Sequence, residues 1–166
     1  MSKTVFVTVG TTQFDSLIQA ITCKDIYKIL KSKGFSKLLL QIGRCDFEPS
    51  TDCPEEGFLV EYYRYKPSLE DDMNQASLVI SHAGAGSCLE ALGAKKPLLV
   101  VINDELMDNH QLELANQLKK DGHIEYCTCR SLVDTLRECD FSRLKPFPPG
   151  EPQKFASFLD SVMGFS

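Results

Sequence analysis

Hydrophobic positions fall along this chain in short continuous runs that alternate with amphipathic stretches of helical spacing. Thr4-Val5-Phe6-Val7-Thr8-Val9 is a β-branched run ended by Gly10, which predicts a buried strand. Behind it, Phe14, Leu17, Ile18 and Ile21 recur at i, i+3, i+4 and i+7, one face of a helix. A second helical stretch carries Ile26, Ile29 and Leu30 and stops near Gly34. Residues 38–42 predict a second strand closed by Gly43, and residues 44–57, with two prolines and scattered acids, read as a loop. Residues 58–63 predict a third strand. Pro67 suits the first turn of a helix whose acids Glu70, Asp71 and Asp72 complement the helix dipole.

The second half repeats the alternation. Residues 78–81 predict a strand, followed by a glycine-rich turn, a helix around 89–94 and a strand over 97–102. A helix from about 109 to 120 ends at Gly122, a usual position for glycine past a helix end. Residues 124–127 predict a sixth, short strand, and Ser131 can cap a helix through Glu138. After an extended, proline-rich connector over 145–150, the last helix carries Phe155, Phe158, Leu159, Val162 and Met163 on one stripe. Strands alternating with helices, and apolar on both faces, predict an α/β fold. The expected sheet is doubly wound, mainly parallel and Rossmann-like, with residues 1–166 forming one domain. In such sheets ligands bind at the carboxyl ends of the strands, where the strand order reverses. The loops after the strands are therefore where chemistry is expected.

Composition narrows the function. The chain has 166 residues, 43% of them hydrophobic and 25% charged, which excludes a disordered or low-complexity chain. Its apolar runs stop at about five residues, against the ~20 that a membrane-spanning helix needs. The amino terminus runs straight into a strand, so no signal peptide is expected and the protein is expected to stay where it is made. Eighteen basic against twenty-three acidic residues give a net charge of −5, which argues against a nucleic-acid surface. Any phosphate must be held locally, by backbone and a few side chains. Seven cysteines, several within apolar stretches, predict free and mostly buried thiols. His123, Cys127, Cys129 and Cys139 match no usual zinc spacing, so no structural metal and no cofactor are expected.

Two loops stand out. The first, Ser81-His82-Ala83-Gly84-Ala85-Gly86-Ser87-Cys88-Leu89-Glu90, leaves a strand and opens a helix. Its glycines let a ligand approach the backbone, and free amides of a helix's first turn favour a phosphate or diphosphate. Ser87 adds a hydroxyl, His82 a ring N–H, and Glu90 a carboxylate able to take two hydrogen bonds from a ribose diol. A tight strand-to-helix turn with a capping serine is the other reading. The second loop, from Asn103 to Gln111, gathers carboxylates, amides and an imidazole, a set that suits sugar hydroxyls. Here an acid-rich helix cap with His110 on the surface is the alternative. Gly10-Thr11-Thr12 forms a further phosphate- or sugar-facing turn. Arg44 either meets an acidic group or is simply solvated. Tyr65 either meets a base or is a half-buried ring. The chain has neither a Walker G-x-x-x-x-G-K-[ST] nor a G-x-G-x-x-G after its first strand, and no Asp-x-Asp metal clamp.

Val7-Thr8-Val9-Gly10-Thr11-Thr12, Gln41-Ile42-Gly43-Arg44 and the stretch from Ile80 through Asn109-His110-Gln111 give the chain a family resemblance. It resembles the catalytic subunits of two-component UDP-N-acetylglucosamine transferases, which add the second GlcNAc to dolichyl-diphosphate-GlcNAc in N-glycan assembly. It is also similar to the carboxyl-terminal half of the bacterial transferase that makes lipid II. The resemblance implies the donor-binding half of a glycosyltransferase B architecture, and an inverting transfer from UDP-GlcNAc. It places the diphosphate on the loop from His82 through Ala83, Gly84, Ala85, Gly86 and Ser87, and the ribose on Glu90. It places the donor sugar near Asn109, His110 and Gln111, with histidine standing where the bacterial relatives carry a glutamine. It places the uracil at the backbone of Tyr65 and Lys66. One domain is about half such an enzyme. The resemblance therefore also implies a heteromer with a small membrane subunit that supplies the acceptor site at the cytosolic face of the endoplasmic reticulum. Residues 152–166, with Phe155, Phe158, Leu159, Val162 and Met163, are the expected docking helix, or else cover this chain's own sheet. Two rival functions stand beside the transferase, a UDP-GlcNAc epimerase or hydrolase acting alone and a non-catalytic UDP-sugar-binding module.

Overall fold

The structure is a computed structural model that describes residues 3–10, 13–51, 56–82, 91, 94–102, 120, 124–139 and 141. In chain order these form β1 (Lys3–Thr8), α1 (Asp15–Ile21), α2 (Lys24–Ser32), β2 (Phe35–Gln41), β3 (Leu59–Tyr63), α3 (Glu70–Gln75), β4 (Leu78–His82), β5 (Leu98–Ile102), β6 (Glu125–Thr128) and α4 (Leu132–Glu138). The strands make one sheet in the order β3-β2-β1-β4-β5-β6, and all neighbouring pairs are parallel. The expected doubly wound, Rossmann-like sheet is what the chain forms.

The core follows from the apolar runs. Val5 and Val7 of β1, Ile80 of β4, and Leu99 and Val101 of β5 are fully buried in one cluster. Leu17, Ile18 and Ile21 of α1, Ile26 and Leu30 of α2, and Leu132 and Leu136 of α4 join them there. The intervening strand residues Phe6, Val79, Leu98 and Val100 are buried too, at 0–3% exposure, on the opposite face of the pleat. Each such side chain contributes on the order of 1.5–3 kcal/mol by leaving water. The expectation of strands apolar on both faces holds for β1, β4 and β5. It fails at β3, where Leu59 is 49% exposed and Glu61 is exposed. This strand pairs only with β2 among the described residues, and Glu61 there meets Lys37 of β2 at 3.1 Å.

Other expectations shift for local reasons. β2 begins at Phe35, not 38, because Gly34 turns the chain at φ +95° straight into pairing with β1. Pro67 lies outside α3, which starts at Glu70. The turn ahead of it is closed instead by Ser68, whose Oγ accepts the Glu70 N–H at 3.1 Å. Ser131 stands at the cap position of α4, but its hydroxyl turns back to accept the Thr128 N–H at 3.0 Å, and only its carbonyl takes the helical bond from Thr135. Cys129 falls in the turn after β6, so it does not share a strand face with Cys127. Cys45 and Cys127 are buried, whereas Cys23, Cys129 and Cys139 are only half-buried. No described helix is long and apolar enough to cross a membrane. The helices expected at 109–120 and 152–166, and the connector at 145–150, lie outside the described residues apart from Lys120.

The topology fixes where a ligand can sit. From β1 the chain steps outward to β2 and β3, then crosses to β4 on the far side of β1 and continues to β5 and β6. The order reverses between β1 and β4, whose register pairs Thr8 with Ser81. In doubly wound sheets the connections on either side of such a reversal leave for opposite faces, and ligands bind in the crevice expected at the carboxyl ends of the two strands.

Candidate functional site

The β1 side of the crevice is built on a left-handed glycine. Gly10 has φ +63°, a conformation that a side chain would strain, and it turns the chain sharply off β1. Two buried polar side chains hold the turn. Thr8 and Gln41 are 0% and 2% exposed within otherwise apolar strands. The Gly10 N–H donates to Gln41 Oε1 at 2.9 Å and to Thr8 Oγ1 at 3.2 Å. Gln41 Nε2 donates to the Gly10 carbonyl at 2.8 Å. With its N–H committed inside the protein, Gly10 offers a ligand close approach and no donor.

The next rim, at the ends of β2 and β3, is braced by Arg64. Gly43 turns β2 at φ +55°, and its N–H donates to the Arg64 carbonyl at 3.2 Å. The Arg64 guanidinium folds back to donate to the carbonyls of Gly43 at 3.2 Å and Cys45 at 2.8 Å, and it pairs with Glu48 at 3.1 Å. Tyr63 Oη donates to Asp72 of α3 at 2.5 Å, and Lys66 reaches the same carboxylate oxygen at 3.0 Å while lying 4.3 Å over the Tyr63 ring. Burial and the neighbouring Asp72 push the Tyr63 phenol far above its ordinary range, so it stays a donor. Beyond this braced segment, Tyr65 is 52% exposed.

On the β4 side, Ser81 is fully buried and donates to the His82 carbonyl at 2.8 Å. His82 is half-buried at the strand end, and burial pushes its imidazole down to about 4. At neutral pH it is an uncharged ring that can present an N–H, and it brings no positive charge of its own. Under the β1 rim, Asp15 accepts the Phe47 N–H at 2.9 Å and the Gln13 amide at 2.7 Å, and the Phe47 bond leads in holding its carboxyl below the usual range. Cys45 accepts the Phe14 N–H at 3.3 Å, and its thiol is pushed up by burial.

The fold thus brings Gly10 and His82 to the carboxyl ends of two neighbouring strands, with Tyr65 beyond the end of β3. Arg44 is exposed, in keeping with its solvated reading. Thr11, Thr12, the loop from Ala83 through Gly84, Ala85, Gly86, Ser87 and Glu90, and the Asn109, His110 and Gln111 set all lie outside the described residues. So do Phe155, Phe158, Leu159, Val162 and Met163, as well as His123. Among the described residues, no cluster of three or more His, Cys, Asp or Glu is placed to hold a metal. Sequence reasoning passed over Gln41, Arg64 and Asp72 as builders of the rim. Gln41 had a visible signal, a lone amide within an apolar parallel strand. Asp72 reads from sequence as a helix-dipole acid, yet it is the partner of Tyr63 and Lys66.

Comparison with known proteins agrees with this architecture. The chain is 57% identical over 131 residues to the human UDP-N-acetylglucosamine transferase subunit ALG13, covering 79% of this chain and 11% of the human protein. It therefore spans about a tenth of that relative's length. The NMR solution structure of ALG13 superposes with a TM-score of 0.75 at 28% identity, covering 95% of each chain. The MurG crystal structure from Acinetobacter baumannii has a TM-score of 0.63 at 14% identity, covering 99% of this chain and 48% of that one, and shares the fold. The family model for the glycosyltransferase family 28 C-terminal domain matches residues 4–162, and the chain belongs to that family.

Proposed function

We propose that this chain is the donor-binding subunit of a heteromeric GlcNAc transferase. It transfers GlcNAc with inversion from UDP-GlcNAc to dolichyl-diphosphate-GlcNAc, giving dolichyl-diphosphate-chitobiose. The observation that carries the reading is the reversal of strand order between β1 and β4, which sets the Gly10 turn and His82 at the ends of neighbouring strands in a family 28 domain. The name of the human relative, a UDP-N-acetylglucosamine transferase subunit, supports both the donor and the existence of a partner.

In this reading the acceptor's 4-hydroxyl attacks the anomeric carbon, its proton passes to a base, and the bond to the UDP oxygen breaks. Residues 82–87 receive the departing diphosphate on backbone amides and the neutral His82 N–H, stabilising charge where it develops. Thr11 and Thr12 border the same phosphate, Glu90 takes the ribose, the Tyr65–Lys66 backbone meets the base, and Asn109, His110 and Gln111 meet the sugar. The base and the lipid acceptor site come from a small membrane subunit docked on residues 152–166, at the cytosolic face of the endoplasmic reticulum. No metal or cofactor takes part.

The test is a transfer assay with UDP-GlcNAc and a dolichyl-diphosphate-GlcNAc acceptor, using the chain alone and the chain co-purified with its membrane partner. Transfer by the pair and none by the chain alone is expected. Turnover of UDP-GlcNAc by the chain alone would make it an epimerase or hydrolase. UDP-GlcNAc binding without turnover by the pair would make it a binding module.

A further inference from the structure

Gln41 ends β2, between β1 and the end strand β3, and its buried side chain spends its polar atoms on neighbouring turns. All four hydrogen-bonding positions of its amide are used. Oε1 accepts from the Thr8 hydroxyl at 2.5 Å and from the Gly10 N–H at 2.9 Å, and Nε2 donates to the carbonyls of Gly10 at 2.8 Å and Arg64 at 2.6 Å. The amide has one orientation only. Reversed, it would set its NH₂ against the Gly10 N–H and its carbonyl against two carbonyls. Resting on the reading of the crevice as a UDP-sugar site, we propose that Gln41 is a positioning residue that locks the Gly10 turn and the Arg64–Tyr65 peptide into one fixed geometry.

These two turns share no direct bond among the described contacts, yet both must be placed for one nucleotide sugar to meet them together. Gly10 leaves β1 in a left-handed turn that no ladder bond controls, and the Arg64–Tyr65 peptide leaves β3 beyond its last paired residue, Tyr63. A single rigid amide between them ties the height of one to the height of the other. Arg64 strengthens the second half of the tie, since its carbonyl takes both Gln41 Nε2 and the Gly43 N–H. Gln41 touches no reacting atom, and its effect is on the placement of groups that do.

The test uses the full chain as Gln41→Leu and Gln41→Glu, read by amide NMR with hydrogen exchange and by calorimetric titration with UDP. In Gln41→Leu, exchange at the Gly10 amide should accelerate and the Tyr65 amide signal should shift with it, while the Val100 and Cys127 amides stay as in wild type. In Gln41→Glu the acceptor side survives but the Gly10 and Arg64 carbonyls both lose their donor, so the Gly10 N–H should keep its protection while the Thr11 and Tyr65 amide signals shift. UDP should bind Gln41→Leu on the order of tenfold or more weakly, the scale of a small misplacement of binding groups. Unchanged Gly10 and Tyr65 signals in both variants, or an unchanged UDP dissociation constant despite the shifts, would overturn the proposal. Should Gln41→Leu fail to fold, the Gln41→Glu pattern decides it. Wild-type chain that fails to bind UDP would instead remove the functional reading, and the NMR arm would still decide whether Gln41 ties the two turns.

Discussion

The imidazole of His82 makes stability depend on pH in a range where most carboxylates stay ionised. Its ordinary value is 6.5, and burial at the end of β4 lowers it to about 4. The folded state therefore binds fewer protons than the unfolded chain at any pH between these values. Stability from this group is fully present above pH 6.5 and is lost as pH falls toward 4. At pH 5 the unfolded ring is almost wholly protonated and the folded ring is about one-tenth so, which costs roughly 2 kcal/mol relative to pH 7. Asp15 does not blur this window, because its carboxyl is held below 3.8. The assay is urea unfolding at pH 7, 6 and 5, followed by far-UV circular dichroism because the chain has no tryptophan. Comparing wild type with His82→Gln subtracts all other titrating groups. Wild type should lose ~2 kcal/mol more than the variant between pH 7 and 5. Equal losses in the two proteins would refute the argument that β4 buries a neutral ring at its end.

Further outcomes follow from the rim and from the sequence. Arg64→Ala should cost ~1–2 kcal/mol in urea unfolding, because two backbone carbonyls lose a charged donor, while Glu48→Ala should stay within about 0.5 kcal/mol, the usual scale of an exposed ion pair. If the two substitutions prove equally costly, the brace is the ion pair and not the carbonyl contacts. On the proposed placement of the ribose at Glu90, Glu90→Ala should raise the Michaelis constant for UDP-GlcNAc at least ~10-fold, by removing an ionised acceptor for the two ribose hydroxyls; wild-type kinetics would remove Glu90 from the site. A chain ending at Pro152 should lose its partner on affinity co-purification, and retention of the partner would assign residues 153–166 to this chain's own sheet.

Among the described residues, periodicity alone determined the element types, the parallel sheet and the strand ends where a ligand is expected. The reason is that β1, β4 and β5 are buried on both faces, so their sequences must be apolar throughout, and α1, α2 and α4 must each show one apolar stripe to cover them. That Gly10 and Gly43 end strands was legible for the same kind of local reason, while their left-handed φ belongs to the folded turns. Family resemblance, and not periodicity, supplied the nucleotide sugar.

What the sequence withheld is the set of side-chain contacts made across 6 to 33 residues of chain. Gln41 meets Thr8 and Arg64 only because β2 lies between β1 and β3 in register. Asp72 meets Tyr63 and Lys66 only because α3 returns beside the end of β3. His82 loses its charge only because the fold removes water from the end of β4. Pairing register, burial and the reversal between β1 and β4 are properties of the folded sheet, and no local pattern encodes which distant donor will find which acceptor.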